Sequence, residues 1–184
     1  LSREKGLYTL LAAAKKSGMP LTIVGTGPDA EALRRTASEL DVDAQFRGFL
    51  TGIALHDAVR EARGVVLPSE WYENAPMSVL EAYALGKPVI GARIGGIPEL
   101  VREHDTGLLF KSGDSDDLAD ALNRLRSMPD TQLERMGRAG REWVESAFTL
   151  ELYLKRVLAI YSQLGVPSAV EAGSNYCPRQ DEIQ

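Results

Sequence analysis

Leu21-Thr22-Ile23-Val24-Gly25-Thr26-Gly27-Pro28-Asp29-Ala30-Glu31 reads as a strand, a glycine turn and the start of a helix. The four residues before Gly25 are apolar or β-branched, the pattern of a strand covered on both faces. Pro28 suits a first helical position, where its missing N–H costs nothing, and Asp29 and Glu31 suit the positive end of a helix dipole. A glycine turn at that junction lets the backbone come close to a phosphate at the helix N-terminus, which makes Gly27 a candidate ligand contact. The same turn is ordinary punctuation between β and α elements. It lacks the third glycine of a dinucleotide fingerprint and the Gly-Lys-Ser/Thr of a P-loop. Both readings of Gly27 stand at this level.

Outward from this unit the chain keeps alternating. Upstream, Leu7, Leu10, Leu11 and Ala14 fall at helical spacing, closed by Gly18 and Pro20. Downstream, the first helix should run to about Leu40. A short strand around 44–46 follows, then a helix capped by Thr51 and reaching Ala62. Strands are expected at 64–67, 88–91 and 108–110, with a helix ending near Gly86 between the first two. Three helical patterns near 116–127, 131–147 and 150–164 close the series, and 165–184 loses all periodicity and reads as a mobile tail. Five short strands alternating with helices predict a doubly wound, Rossmann-like α/β domain with a parallel sheet over 1–164. Ligands of such sheets sit beyond the carboxyl ends of the strands, here the loops at 25–28, 47–51, 68–77 and 91–97.

The 184 residues allow one ordinary domain and a core large enough to need no staple. A net charge of −5 argues against nonspecific nucleic-acid binding, because no basic field is available to displace counterions. Cys177 is the only cysteine, which excludes an internal disulfide and argues against a cysteine-based zinc site. No apolar run approaches the ~20 residues of a membrane-spanning helix. The chain opens on Leu1-Ser2-Arg3-Glu4-Lys5-Gly6 without an initiator Met, and reads as an interior segment of something longer.

The most informative loop is Pro68-Ser69-Glu70-Trp71-Tyr72-Glu73-Asn74-Ala75-Pro76-Met77-Ser78-Val79-Leu80-Glu81. Carboxylates are good acceptors for paired sugar hydroxyls, and Glu73 in the loop and Glu81 in the helix could hold two different sugars. Ser78-x-x-Glu81 also fits a capping box, which would spend Glu81 on the helix itself. Pro76 could equally begin the helix and release Glu81.

With the following Gly86-Lys87-Pro88-Val89-Ile90, Gly95-Gly96-Ile97-Pro98-Glu99-Leu100 and Gly107-Leu108-Leu109-Phe110, this segment resembles the Glu-x7-Glu signature of retaining GT-B glycosyltransferases. That family, the glycosyl transferases of group 1, includes bacterial phosphatidylinositol mannosyltransferases and relatives of glycogen synthases. The resemblance runs in order from Leu1 to about Leu164 and implies the C-terminal, donor-binding domain. It implies that Lys5 contacts the donor diphosphate, with the motif's arginine falling before Leu1. Glu73 would bind the transferred sugar and Glu81 the ribose, with backbone N–H groups around Ala75 and Met77 facing the phosphate or sugar. Leu50, in Arg47-Gly48-Phe49-Leu50, would meet the nucleobase through its backbone. The family's Glu-Gly-Phe-Gly is here Glu73-Asn74-Ala75-Pro76, a departure that touches the local donor contacts.

The substrate implied is a UDP-, GDP- or ADP-linked sugar, with no metal or other cofactor. The partner is an N-terminal acceptor domain of the same enzyme. The resemblance further implies a cytoplasmic protein, any contact with the inner membrane surface being made by that domain. Two other readings compete: a nucleotide or nucleotide-sugar binding module without catalysis, and a GT-B nucleotide-sugar epimerase.

Other signals read as structural. Asp114-Ser115-Asp116 and Asp41-Val42-Asp43 share the Asp-x-Asp spacing of metal-dependent transferases, but the first suits a helix N-terminus and the second a surface turn. His56 and His104 have no ligand-spaced partner. Trp71 and Tyr72 are expected as wall or core residues, and Arg93 as a solvated cation. Leu118, Ala121, Leu122 and Leu125 form a core stripe. The last helix, through Leu152, Val157, Leu158 and Tyr161, is expected to cross to the absent domain.

Overall fold

The structure, a computed structural model, describes residues 1–164. The expected tail and Cys177 lie outside the described residues. The chain divides into two compact units, Leu1–Val144 and a second beginning at Glu145.

The first unit carries five parallel strands, β1 (Leu21–Val24), β2 (Ala44–Gly48), β3 (Val65–Leu67), β4 (Val89–Ala92) and β5 (Gly107–Phe110). They form two ladders, β1–β2 and β3–β4–β5, where one sheet was expected. Ile23 pairs with Phe46 in the first; Val65 pairs with Val89, and Val89 with Gly107, in the second. β3 has only three residues, all half-buried, and its paired edge is taken by β4. The central strands β4 and β5 are buried throughout, as the continuous apolar runs require.

A 3-10 turn at Arg3–Lys5 precedes α1 (Leu7–Ser17). The other helices are α2 (Ala30–Glu39), α3 (Gly52–Glu61), α4 (Met77–Ala84), α5 (Ile97–Leu100), α6 (Ser115–Ser127), α7 (Asp130–Ala147) and α8 (Leu150–Gln163). Two boundaries differ from expectation. α2 starts at Ala30 with Asp29 at its cap, so Pro28 stays in the turn instead of opening the helix. The four-residue α5 follows Gly95-Gly96 where no helix was expected; Pro98 fits its first turn, where an N–H would be unpaired anyway.

α1 packs along α6, with Leu11 and Leu118 both fully buried, and α4 packs on β3 and β4. The stripe Leu118, Ala121, Leu122 and Leu125 is core, as its spacing implies. Asp114 caps α6 by accepting from the N–H groups of Asp116 and Asp117, which uses the first Asp-x-Asp structurally. Asp41 of the second sits at φ 53 in the turn before β2 and pairs with Lys15. Tyr83 of α4 is enclosed, its hydroxyl bonded to Thr106 Oγ1 at 2.8 Å and donating to the Leu100 carbonyl at 3.0 Å. Burial pushes its pKa up to about 12. Trp143 of α7 lies 6.2 Å from the Tyr83 ring and under the Arg102 guanidinium.

In the second unit α8 is capped by Thr149, whose hydroxyl accepts from Leu152 N–H. Leu150, Tyr153, Leu158 and Tyr161 of this helix are exposed. No helix of the described residues is long and apolar enough to cross a membrane.

Candidate functional site

Parallel strands bring five loops to one edge of the first unit. Gly25 to Asp29 follows β1, Phe49 to Thr51 follows β2, Pro68 to Pro76 follows β3, Arg93 to Gly96 follows β4, and Lys111 to Asp114 follows β5. The predicted site residues fall on the first three loops, on the 3-10 turn and in α4.

The segment Leu1–Lys5 crosses this edge. The Leu1 carbonyl accepts from Asp29 N–H at 3.1 Å, and the Leu1 amine donates to the Thr26 carbonyl. A Cβ on Gly27 would lie 2.1 Å from Leu1 N, so the close approach this glycine permits is to Leu1. Farther along, the Glu4 carbonyl accepts from Glu70 N–H at 2.8 Å. Gly6 (φ 67) ends the turn and lies so near Pro68 that a Cβ would come within 1.8 Å of its carbonyl oxygen. Only glycine allows both the left-handed backbone and that contact.

This packing carries Lys5 onto Glu73, with Nζ 2.7 Å from Oε1. The Glu73 side chain is 18% exposed and that of Lys5 49%. Ser69, fully buried at the end of β3, donates its hydroxyl to the same Oε1 at 3.0 Å. The Lys5 ammonium holds the Glu73 carboxyl below its ordinary range; burial opposes this and Ser69 assists it. Glu73 is therefore a fixed carboxylate at neutral pH.

The backbone of Glu73 is held from the other side. Gly96 N–H donates to the Glu73 carbonyl at 2.7 Å, and a Cβ on Gly96 would sit 2.0 Å from the Asn74 carbonyl oxygen. The glycine pair after β4, within the expected ligand loop 91–97, is the seat of the Glu73 loop.

α4 begins at Met77, with Pro76 at its cap and no side-chain cap. Ser78 therefore lies inside the first turn, and the capping-box reading of Glu81 is overturned. Glu81 is exposed and makes no side-chain hydrogen bond or ion pair among the described residues. It stands one turn after Met77 on the same helix face. Ala75 and Met77 flank Pro76 at the open helix N-terminus, whose first N–H groups have no partner within the helix.

Leu50 lies just past β2, where Gly25 N–H donates to the Gly48 carbonyl at 2.6 Å and ties the first two loops together. Its neighbours Phe49 and Ile53 are 73% and 76% exposed. The structure thus pairs Lys5 with Glu73, and the chain leads from Glu73 through Ala75 directly into α4, which carries Met77 and Glu81. Gly27 and Leu50 belong to the adjoining loop pair, linked to the first group through the Leu1–Lys5 segment.

Two expectations are narrowed here. Trp71 and Tyr72 are 64% and 76% exposed, so neither is a core residue. Arg93 is not simply solvated: its guanidinium is 2.5 Å from Glu103 Oε2. Ser69 and Gly96 were missed as site residues. Both lie in expected ligand loops, 68–77 and 91–97, but their contacts with Glu73 and Asn74 exist only once those loops are folded together. A cavity of about 320 Å³, lined by Arg63, Lys87, Asp130 and Glu134 among others, lies beside the starts of β3 and β4. That is the edge where parallel sheets do not place their ligands.

The family of Glycosyl transferases group 1 matches residues 1–143. The chain is 31% identical over 163 residues to O-antigen chain mannosyltransferase C of Escherichia coli, covering 87% of this chain and 44% of that protein. It is 36% identical over 158 residues to the GDP-mannose-dependent alpha-(1-6)-phosphatidylinositol monomannoside mannosyltransferase of Mycobacterium tuberculosis, covering 77% of this chain and 40% of that one. Among solved structures, sucrose-phosphate synthase from Thermosynechococcus elongatus superposes with a TM-score of 0.78 at 31% identity. The match covers 89% of this chain and 43% of the synthase. Anabaena Alr3699/HepE, solved in complex with UDP and glucose, has a TM-score of 0.79 at 22% identity over 89% of this chain and 46% of its own, a likeness of fold. The chain spans less than half the length of each of these proteins.

Proposed function

Because the chain belongs to the Glycosyl transferases group 1 family and has the Rossmann-like fold of GT-B enzymes, we propose that it is the donor-binding half of a retaining glycosyltransferase. Its substrate is a sugar linked to a nucleoside diphosphate. The observation that carries this reading is the 2.7 Å contact between Lys5 and Glu73 beside the open N-terminus of α4. A cation, a fixed carboxylate and, four residues further along the chain, the unpartnered N–H groups of a helix suit a diphosphate joined to a polyhydroxyl ring.

In this reading Lys5 and the N–H groups near Ala75 and Met77 receive the diphosphate. Glu73 accepts hydroxyls of the transferred sugar, Glu81 those of the ribose, and the backbone of Gly27 and Leu50 lines the nucleotide side. Negative charge grows on the diphosphate as the glycosidic bond breaks. The Lys5 ammonium, shared between Glu73 and the diphosphate, and the helix dipole stabilise it without a metal ion. The sugar becomes oxocarbenium-like, and the acceptor attacks from the face the diphosphate leaves, which retains the anomeric configuration. The acceptor is supplied by the rest of the enzyme, so this chain alone binds donor without transferring it.

Calorimetric titration with UDP, GDP and ADP and with their glucose and mannose conjugates tests the assignment. Binding to one base, tightened by one sugar and weakened by Glu81→Ala with or without the sugar, is the expected result. Equal losses for nucleotide and nucleotide sugar in both Glu81→Ala and Glu73→Ala would sink the division of roles. Release of a nucleoside diphosphate sugar with an inverted carbon by the full-length enzyme would identify an epimerase instead.

A further inference from the structure

Glu73 has two carboxylate oxygens, and the protein treats them differently. Lys5 Nζ and Ser69 Oγ both fall on Oε1, at 2.7 and 3.0 Å, and among the described residues Oε2 accepts no hydrogen bond. We propose that Ser69 is a positioning residue that pins Oε1 and so turns Oε2 toward the sugar, making it a determinant of how tightly the sugar part of the donor is held. The proposal rests on the donor-binding reading above and names a residue that reading does not use.

The surroundings of Ser69 support this role. The residue is fully buried at the end of β3, and its own carbonyl accepts from Ser112 Oγ at 3.1 Å, which ties its backbone to the loop after β5. A serine hydroxyl has one proton to give. Its other neighbouring acceptors, the carbonyls of Glu4 at 3.3 Å and Trp71 at 3.5 Å, are more distant than Glu73. The carboxylate is also the only ionised acceptor of the three, and charge-assisted bonds are the stronger ones. Lys5 alone cannot orient the carboxylate as firmly. Its side chain is half exposed and its ammonium can turn toward a diphosphate, whereas Ser69 stays in place whatever Lys5 does. The fixed donor therefore preserves the direction of Oε2 at the moment the cation is shared with the ligand.

The test compares Ser69→Ala with Ser17→Ala, which removes another buried serine hydroxyl, one that bonds only carbonyls of its own helix α1 and touches neither Ser69 nor the carboxylate. In ligand-free protein labelled with ¹³C at glutamate carboxyls, Glu73 is faced by Lys5 and, more weakly, by Glu4. Its titration should move upward in Ser69→Ala and stay in place in Ser17→Ala. Calorimetry with UDP, UDP-glucose, GDP and GDP-mannose then gives the tightening that the sugar adds over the nucleotide alone. That tightening should fall about tenfold in Ser69→Ala, the loss of one bond to a charged group, while nucleotide binding is unchanged. An unmoved Glu73 titration in Ser69→Ala overturns the proposal even if no nucleotide binds. A shifted titration with the sugar tightening intact in Ser69→Ala, but lost in Glu73→Ala, overturns it and leaves the donor-binding reading standing. If Glu73→Ala also keeps the tightening, the donor-binding reading fails and takes the proposal with it.

Discussion

At the scale of single residues, the Lys5–Glu73 pair joins two groups assigned to different parts of one ligand. Replacing Lys5 by Ala removes the main influence holding the Glu73 carboxyl down, so its pKa should rise toward the ordinary value of 4.5. The sign follows from the direction of the shift. A lowered folded pKa stabilises the fold above the unfolded value, and this contribution disappears as pH falls through the folded one. In acid titration wild-type Glu73 should take up its proton only below the ordinary glutamate range, and Lys5→Ala should move that protonation to higher pH. Carboxyl NMR reads both. Because the pair shares a hydrogen bond, the losses of donor affinity in Lys5→Ala and Glu73→Ala should not add. A double-mutant cycle giving zero coupling would mean the contact is energetically idle.

At the scale of elements, the site depends on loops that approach too closely for any side chain. Gly96→Ala would drive a methyl group into the Asn74 carbonyl, which is backbone and cannot swing aside. The expected outcome is a loss of about 1–3 kcal/mol in urea unfolding together with weakened sugar-nucleotide binding. Gly86→Ala supplies the control: nothing lies near its Cβ, and only its φ of 70 is strained. It should lose stability by about 1 kcal/mol and leave binding alone. α4 is anchored at its far end by the Tyr83 hydroxyl. Tyr83→Phe leaves buried Thr106 short of one partner and should destabilise by about 1–3 kcal/mol. The raised pKa of Tyr83 means that its stabilising effect is intact below pH 10 and is lost as pH rises toward about 12. Wild type should therefore weaken across that alkaline window more than Tyr83→Phe does, as read by denaturant midpoints at each pH.

At the scale of the whole molecule, the core and the ligand edge are built by the same alternation but answer to different forces. Leu11 and Leu118, enclosed where α1 meets α6, contribute by area buried and by the absence of voids. Leu11→Ala should cost about 2–5 kcal/mol of unfolding free energy and leave nucleotide affinity unchanged in protein that remains folded. Affinity falling in step with stability would show that the edge is not independent of the core. The chain spans 44% of O-antigen chain mannosyltransferase C and 40% of the mycobacterial mannosyltransferase.

The sequence by itself determined the order and kind of the main elements, because hydrophobic period and glycine or proline punctuation are local properties. β1 begins and ends where its apolar run does, and Asp114 caps α6 as its spacing implies. The Glu73–Glu81 spacing likewise placed one carboxylate in the loop and the other in α4. Only the tertiary structure decided how Glu81 is used, since starting α4 at Met77 instead of capping it with Ser78 frees that carboxylate. It alone revealed Ser69 and Gly96, whose partners Glu73 and Asn74 are reached by close packing of separate loops. It also divided the five strands into two ladders and left Trp71 and Tyr72 in solvent. Periodicity reports which face of an element is apolar. It carries no record of which loop closes over which, because that depends on distances set only when all the elements are packed together.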